Sequence, residues 1–188
     1  MEAFLVSTAV VAVGEIGDKT QLLALLLAAR FKRPLPIVLG ILFATLANHT
    51  LAALAGEWLR HALNPEYLRW GLGLSFLAVA LWALQPDTMD DEPKTLGRYG
   101  VFAITLSTFF VAEIGDKTQF ATVMLAAKFP ALIAVVAGTT CGMLIADVPA
   151  VFLGHRASHR IPFGAMRVVA AILFAALGIA TLLGVEFM

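Results

Sequence analysis

Charged residues are scarce in this sequence, and their scarcity excludes most soluble folds. Only 14% of its 188 residues are Asp, Glu, Lys or Arg, and 60% are hydrophobic. A soluble domain typically has about 25% charged and about 45–50% apolar residues. The mean hydropathy of +0.89 shows the same contrast. We therefore expect an all-α, polytopic membrane protein with the lipid bilayer as its surroundings.

The sequence also lacks an excess of basic residues and a pair of cysteines. The formal net charge is zero, so nucleic acid is not an expected partner. The one cysteine, Cys141, cannot form an internal disulfide, and its apolar surroundings suggest a packing role. The first apolar run follows no basic stretch and is interrupted by Glu15 and Asp18. A cleavable signal peptide is therefore not expected.

Against this apolar background, one polar heptapeptide occurs twice. The sequence E-I-G-D-K-T-Q spans Glu15–Gln21 and again Glu113–Gln119, 98 positions later. Charged side chains inside a bilayer are costly, so they mark candidate functional sites. A polar site that is duplicated in two halves of a membrane protein is typical of transporters with internal repeats.

The apolar runs are long enough for six membrane-spanning helices, since one span needs about 20 residues. The first and fourth runs are longer than a span requires, which permits tilt or an unwound segment. The predicted helices cover about Ala3–Ala29, Pro34–Leu59, Tyr67–Leu84, Gly100–Ala127, Ala131–Leu153 and Phe163–Val185.

The duplication divides the chain into two halves of three helices each. We assign residues 1–90 to the first repeat, 91–98 to a connecting loop and 99–188 to the second repeat. Because three is odd, the second half enters the membrane from the opposite side. The halves are then inverted repeats about an axis in the membrane plane, as in several transporter folds. Such an axis would bring the two heptapeptides together near the midplane.

Basic residues predict the orientation of these helices, because loops rich in Lys and Arg stay in the cytoplasm. One side carries only Arg60, Arg69 and Lys128. The three loops of the other side carry more bases, so we expect them in the cytoplasm and both termini outside. The bases of these loops are Arg30, Lys32, Arg33, Lys94, Arg98, Arg156, Arg160 and Arg167.

The acids of the two heptapeptides predict a site for a divalent cation. In a continuous helix, residues three and four apart share a face, so Glu, Asp and Lys of each copy would line one stripe. Two facing stripes bring together four carboxylates and two ammonium groups, with a net charge of −2. One divalent cation neutralises that charge, and without it protonation of one or two crowded acids is favoured. Cation and protons would then compete for the oxygens of Glu15, Asp18, Glu113 and Asp116.

The other residues of the heptapeptides leave several roles open. Oxygen ligands suit Mg²⁺, Ca²⁺ and Mn²⁺ better than softer metals. Lys19 and Lys117 could hold the acids ionised, extend to the interface, or form ion pairs that only stabilise the bundle. Gly17 and Gly115 permit either close helix packing or a local break that frees carbonyl groups. Further ligand oxygens could come from Thr20, Gln21, Thr118 and Gln119.

The second helix of each half carries a smaller polar signal. Asn48 and His49 align with Ala146 and Asp147 at the same offset of 98 positions. Asp147 precedes Pro149, which can free a backbone carbonyl. Asp147 and Asn48 are therefore candidate ligands or coupling residues, with interhelical hydrogen bonds as the alternative. For His49 we expect packing or capping.

Three other kinds of protein remain as alternatives. A monovalent cation/proton antiporter also uses intramembrane acids, but it needs fewer than four. A cation channel can use rings of acids, whereas an inverted repeat favours alternating access. An intramembrane aspartyl protease is disfavoured, because the lysines would oppose a shared proton between two aspartates. We expect no enzymatic activity, and the oligomeric state stays open.

The doubled E-x-G-D-[KR]-[ST] signature resembles a family of cation/proton exchangers. This family includes the eukaryotic Golgi calcium/manganese transporter and bacterial manganese exporters, and the resemblance covers essentially the whole chain. It implies export of Mn²⁺, or of Ca²⁺ as in some members, in exchange for H⁺ and without a prosthetic group. The matching residues are the acids Glu15, Asp18, Glu113 and Asp116, together with Lys19, Thr20, Lys117 and Thr118.

The length of the chain adds an expectation about its location. The Golgi members of this family carry a targeting extension and an extra span, which have no counterpart in these 188 residues. The chain therefore resembles a minimal prokaryotic form, for which the inner membrane is the expected location.

Overall fold

The computed structural model describes residues 1–85, 100–153 and 163–185, and the secondary structure of these residues is helical. The all-α prediction is confirmed for this part of the chain. The predicted loop 91–98 and the bases Lys94, Arg98, Arg156 and Arg160 lie outside the described residues. The described helices are α1 (Glu2–Glu15), α2 (Lys19–Phe31), α3 (Pro34–Ala62), α4 (Pro65–Ala83), α5 (Val101–Glu113), α6 (Lys117–Lys128), α7 (Leu132–Leu153) and α8 (Phe163–Leu182).

Two of the predicted helices are wrong as continuous helices. The segment Ala3–Ala29 is divided into α1 and α2, and Gly100–Ala127 is divided into α5 and α6. The physical reason is the backbone at Gly17 and Gly115, which have φ angles of 88° and 74°. An α-helix cannot continue through such a residue, and glycine adopts this conformation at little steric cost. The stripe of polar side chains expected along one helix therefore becomes a helix–break–helix segment.

The bounds of the helices recur at the offset of the heptapeptides. The helices α2, α3 and α4 begin at residues 19, 34 and 65, and α6, α7 and α8 begin 98 positions later. Both α3 and α4 begin with a proline in the first turn. An N–H group at this position would have no intrahelical acceptor, so proline costs no hydrogen bond there.

The two halves pack against each other through contacts that also recur. The first broken helix lies on the long helix of the second half, α1 on α7, and α5 lies on α3 in the same way. A side chain at Gly40 would begin 2.6 Å from Thr105 Cβ, and one at Gly138 would begin 2.9 Å from Ser7 Cβ. Each of these two contacts becomes the other when the residue of the first half is moved forward by 98 positions and the residue of the second half is moved back by 98. We call such pairs exchange-related contacts.

Buried apolar side chains form two clusters. The first consists mainly of residues of α4, α8, α1 and α6, and includes Phe76 and Phe174. The second consists mainly of residues of α2, α5, α3 and α7, and includes Ile37, Ile41 and Phe109. The buried members of α4 and α8 thus belong to one cluster and those of α2 and α5 to the other.

Two of the described helices, Pro34–Ala62 and Leu132–Phe152, are long and apolar enough to cross a membrane by length and composition. The four pieces of the broken helices have 12 to 14 residues each, too few to span a bilayer alone. Large apolar side chains are exposed on the outer surface, including Leu81 at 70% and Ile133 at 83%. The arrangement of six spans as inverted repeats stays a prediction.

Candidate metal site between the two heptapeptides

The backbone of each heptapeptide places its acids at a break between two helices. Glu15 ends α1 and Asp18 is the N-cap of α2, while Glu113 and Asp116 have the same positions in the second half. Aspartate is a favoured N-cap residue because its oxygens can accept from the free N–H groups of the first turn. Anionic ligands and carboxylates are also stabilised at these helix starts by the helix dipole.

Three of the four predicted acids come together in the interior. Glu15 is 0% exposed, Asp18 2% and Asp116 1%. One carboxylate oxygen of each lies within 4.8 Å of the other two. Oxygens that bind one Ca²⁺ or Mg²⁺ ion at about 2.0–2.6 Å are at most about 5 Å apart. Glu15 Oε1 has no hydrogen-bond partner among the described residues, so the three carboxylates can chelate one ion.

The fourth acid, Glu113, is buried but held by a different helix. Thr45 Oγ1 donates to Glu113 Oε1 at 2.6 Å, and Asn48 Nδ2 donates to Glu113 Oε2 at 3.3 Å. Asn48 also donates to the carbonyl of Phe110 at 2.9 Å. In this structure the four acids therefore do not form one symmetrical set, because α3 supplies hydrogen-bond donors to Glu113.

The equivalent positions of α7 explain why Glu15 is not held in the same way. Met143 and Ala146 stand where α3 has Thr45 and Asn48, and their side chains donate no hydrogen bond. Glu15 instead accepts a hydrogen bond from Thr20 Oγ1 within its own heptapeptide. The sequence reasoning missed Thr45. Its spacing of three residues from Asn48 on α3 was the available signal, because residues three apart share a helix face.

The two lysines form reciprocal ion pairs between the heptapeptides. Lys19 Nζ lies 2.9 Å from Asp116 Oδ1, and Lys117 Nζ lies 2.9 Å from Asp18 Oδ1. The pairs are exchange-related, and each joins the last residue of one break to the first turn of the helix after the other break. In this structure the lysines therefore reach across to the acids of the other heptapeptide. They place positive charge beside the acid cluster.

The neutral residues of the heptapeptides stabilise the breaks. Gly17 N–H donates to Gln21 Oε1 at 3.0 Å, and Gly115 N–H donates to Gln119 Oε1 at 2.7 Å. Thr118 donates to Asp116 Oδ2 from its hydroxyl at 3.2 Å and from its backbone N–H at 3.4 Å. The oxygens of the two glutamines, which the sequence offered as ligands, thus accept from the backbone here.

Two further polar residues are buried without a hydrogen-bond partner among the described residues. Asp147 is 0% exposed and neither of its carboxylate oxygens has a partner, while both ring nitrogens of His49 are likewise without one. An ionised carboxylate in such a place is very unfavourable unless a cation or proton compensates it. Asp147 lies close enough for its charge to act on Glu15 and Glu113. The structure thus brings Asp147 near the acid cluster and leaves its oxygens available.

Comparison with known proteins assigns the chain to a family. Residues 3–91 and 101–188 match the family described as "Divalent cation/proton antiporter GDT1". The chain belongs to this family. It is 47% identical over 182 residues to a Vibrio cholerae protein named "Putative manganese exporter", with 96% of this chain and 90% of that protein aligned. No solved structure matches the chain.

More distant GDT1-family relatives align over almost the same length. A GDT1-like protein of Synechocystis is 29% identical, with 93% of each chain aligned. GDT1-like protein 5 of Arabidopsis thaliana is 28% identical, with 97% of this chain and 96% of that protein aligned. The resemblance seen in the sequence is thus confirmed. The family consists of membrane antiporters of divalent cations and protons, and it is not an enzyme family.

Proposed function

We propose that this GDT1-family protein exports Mn²⁺ from the cytoplasm in exchange for protons. The observation that carries the proposal is the cluster of Glu15, Asp18 and Asp116, buried and within 4.8 Å of one another. A buried cluster of three carboxylates needs a compensating cation or protons, because like charges repel strongly in a low dielectric. The Vibrio cholerae relative with the name "Putative manganese exporter" supports Mn²⁺ as the cation.

The acid cluster would form the centre of the metal site, and two more acids would complete it. Glu113 can join by leaving Thr45 and Asn48, and Asp147 has two oxygens without partners. All the donors are oxygens, which suits Mn²⁺ and Ca²⁺. Ca²⁺ accepts six to eight oxygens in a flexible shell, so the extra acids leave it as the alternative substrate.

Protons and lysines would compensate the acids when the metal leaves. The four acids of the heptapeptides and the two lysines together carry a net charge of −2 when ionised. A divalent ion brings that charge to zero, and two protons do the same. Release of the metal on one side is therefore favoured when protons from that side reach the same oxygens. This substitution is the physical basis for exchange.

We also propose six membrane spans in two inverted repeats, with the termini outside and the protein in the inner membrane. The pairs α1–α2 and α5–α6 would each cross as one broken span, and α3, α4, α7 and α8 would cross singly. The exchange-related contacts of Gly40 and Gly138 support a two-fold relation between the halves. Broken helices are tolerated at membrane depth where they line a site inside the protein.

The experiment that tests this function uses purified protein in liposomes with an acidic interior. Mn²⁺ added outside should accumulate while the interior becomes more alkaline, as two dyes would report. Glu15→Gln and Asp116→Asn should each reduce the initial rate by roughly 100-fold or more, because even residues that only support a metal ligand cost 10–100-fold. The control Glu57→Gln changes an acid that pairs with Arg60 near the surface, and should transport normally.

The outcomes separate the parts of the proposal. Normal Mn²⁺ transport by Glu15→Gln and Asp116→Asn would contradict the site. Mn²⁺ transport without proton movement would contradict the exchange and leave the site intact. Transport of Ca²⁺ at a higher rate than Mn²⁺, in the same vesicles, would contradict the choice of Mn²⁺.

A further inference from the structure

The two heptapeptides have the same sequence, but neighbouring helices bury them to different extents. The side chain of Lys117 is 5% exposed, whereas that of Lys19 is 27% exposed. Ile114 is 57% exposed, while the equivalent Ile16 is partly buried. A side chain added at Gly115 would meet none of the described atoms within 4 Å. The second break is therefore open on one face, beside Lys19, and the first break is covered.

The cover of the first break comes from α8 and the end of α4. A side chain at Gly14 would begin 3.5 Å from Phe174 Cζ. Ala83, Arg167 and Ala170 line a cavity of only about 10 Å³ beside Asp18. If the second break were covered in the same way, the equivalent of the contact between Phe174 and Gly14 would be a contact between Phe76 and Ala112. That contact is not made, because α4 and α5 touch at most marginally in the described part of the chain.

The asymmetry is also present in the main contacts that α4 and α8 make outside their own pair. The helix α8 packs on α1, and α4 packs on α6, where the rings of Trp82 and Phe120 are 5.8 Å apart. Within the described residues, α8 and α2 touch at most marginally, as do α4 and α5. Outside its own pair, α4–α8 thus packs mainly on α1 and α6, with a small contact between α3 and α4.

The helices α4 and α8 are packed closely against each other. A side chain at Gly73 would begin 2.5 Å from Leu182 Cγ, and one at Gly178 would begin 2.9 Å from the Gly73 carbonyl. The two helices are therefore in backbone contact. A shift of 98 positions, forward or backward, also converts α4 and α8 into each other. Exchange of the two halves therefore leaves this pair as the same pair, and it leaves the set of the other six helices unchanged as well. A second position of the pair, against α2 and α5, would have the equivalent helices as neighbours, which is the arrangement expected of a bistable element.

We propose that α4 and α8 form a gate that moves as a unit between these two positions and covers the two breaks in turn. The proposal rests on the exchange function given above and adds the moving part. In the second position Phe76 covers Ala112, the contact of Trp82 with Phe120 is lost, and Ala180 approaches Leu22. The cation enters past Lys19 and Gly115 in the position seen here.

The end from which the cation enters also follows. Pro65, Lys128 and Thr181 line a cavity of about 760 Å³ at one end of the molecule. The described lining of this cavity contains no residue of either heptapeptide, so the cavity does not open onto the acid cluster. The open face lies at the break between α5 and α6, and α5 leads from it toward the end opposite to Lys128. In the orientation proposed above, that end is cytoplasmic, so we expect entry from the cytoplasm.

The test uses paired cysteines in a Cys141→Ser protein and a short thiol crosslinker in liposomes. Trp82→Cys with Phe120→Cys should crosslink at rest, and the crosslink should stop Mn²⁺ transport. Leu22→Cys with Ala180→Cys should crosslink only with Mn²⁺ and a proton gradient, and should also stop transport. The control pair is Phe43→Cys with Phe102→Cys, whose native rings on α3 and α5 are 6.0 Å apart. Its crosslink should leave the rate unchanged.

A second measurement uses single cysteines and a membrane-impermeant thiol reagent. Ile114→Cys should react faster than Ile16→Cys at rest, and a proton gradient with Mn²⁺ should reduce the difference. Equal rates in both conditions, or full transport by the crosslinked Trp82→Cys and Phe120→Cys protein, would overturn the gate. Absence of transport in the Cys141→Ser protein before crosslinking, with wild type equally inactive, would instead contradict the exchange function.

Discussion

The two halves of the molecule contain the same seven residues and yet hold their glutamates differently. Glu15 lies beside Asp18 and Asp116, whereas Glu113 is bound by Thr45 and Asn48. The difference does not come from the heptapeptide. It comes from the opposing long helix, which carries donors in one half and apolar side chains in the other. The surroundings therefore decide which acid of a duplicated pair is available to a cation.

The largest effect that tests this comparison is expected from the two aspartates. Asp18→Asn and Asp116→Asn should both abolish Mn²⁺ transport, but they should differ in stability. Breaking a buried ion pair costs about 3–5 kcal/mol because the partner charge is left buried, and Lys117 is 5% exposed whereas Lys19 is 27% exposed. Asp18→Asn should therefore lower the melting temperature more.

Thermal unfolding of both variants in detergent checks this expectation. The matched control is the double change Asp18→Asn with Lys117→Gln, which removes both charges and should recover much of the lost stability. Equal melting temperatures for Asp18→Asn and Asp116→Asn would contradict the unequal burial of the two pairs.

A second prediction makes the two long helices alike. Thr45→Met with Asn48→Ala gives α3 the residues that α7 has at the equivalent positions. Hydrogen bonds to charged groups contribute about 1.5–3 kcal/mol, so their loss frees Glu113 to bind the cation. We expect the apparent affinity for Mn²⁺ to rise by about tenfold and the maximal rate to fall. Mn²⁺ titration and initial transport rates measure both; an unchanged affinity would show that Glu113 is already a ligand.

A third prediction concerns the glycines of the two breaks. Gly115→Ala should lower the free energy of unfolding by about 1–2 kcal/mol, because a side chain is strained in the left-handed region. The position has open space, so strain and not a clash is the cause. Gly115→Asn is the matched variant, since asparagine tolerates this conformation better, and it should lose less stability. Equal losses in a denaturation series would argue against backbone strain.

The smallest effect is expected at the surface. Arg60 and Glu57 form an ion pair at 3.4 Å with side chains that are 23% and 33% exposed. Exposed pairs contribute about 0–1 kcal/mol. Arg60→Gln should therefore change neither Mn²⁺ transport nor the melting temperature by a measurable amount. A clear loss of either would place this pair in the transport pathway.

The sequence predicted the parts of the fold that depend on local signals. The starts of α3 and α8 agree with the predicted Pro34 and Phe163, because apolar runs and flanking breakers are visible in the chain. The breaks at Gly17 and Gly115 were considered only as an alternative, since glycine also serves close packing. Periodicity alone cannot distinguish the two.

The partners within the site depend on long-range packing, and for that reason they could not be predicted. The crossing of Lys19 to Asp116 requires that the two breaks face each other at a certain depth. The capture of Glu113 by Thr45 requires that α3 pack on α5 with Thr45 turned inward. Neither arrangement leaves a signal within either heptapeptide.

Each break contains its own reinforcement. Asp18 N–H donates to the Glu15 carbonyl at 3.0 Å, and Gly17 N–H donates to the Gln21 side chain at 3.0 Å. The second heptapeptide has the same two bonds. In mechanical terms, hydrogen bonds within seven consecutive residues hold the unwound segment in one shape. The surrounding helices can then slide or tilt without misaligning the acids, so stiffness at the site and mobility around it coexist in one small protein.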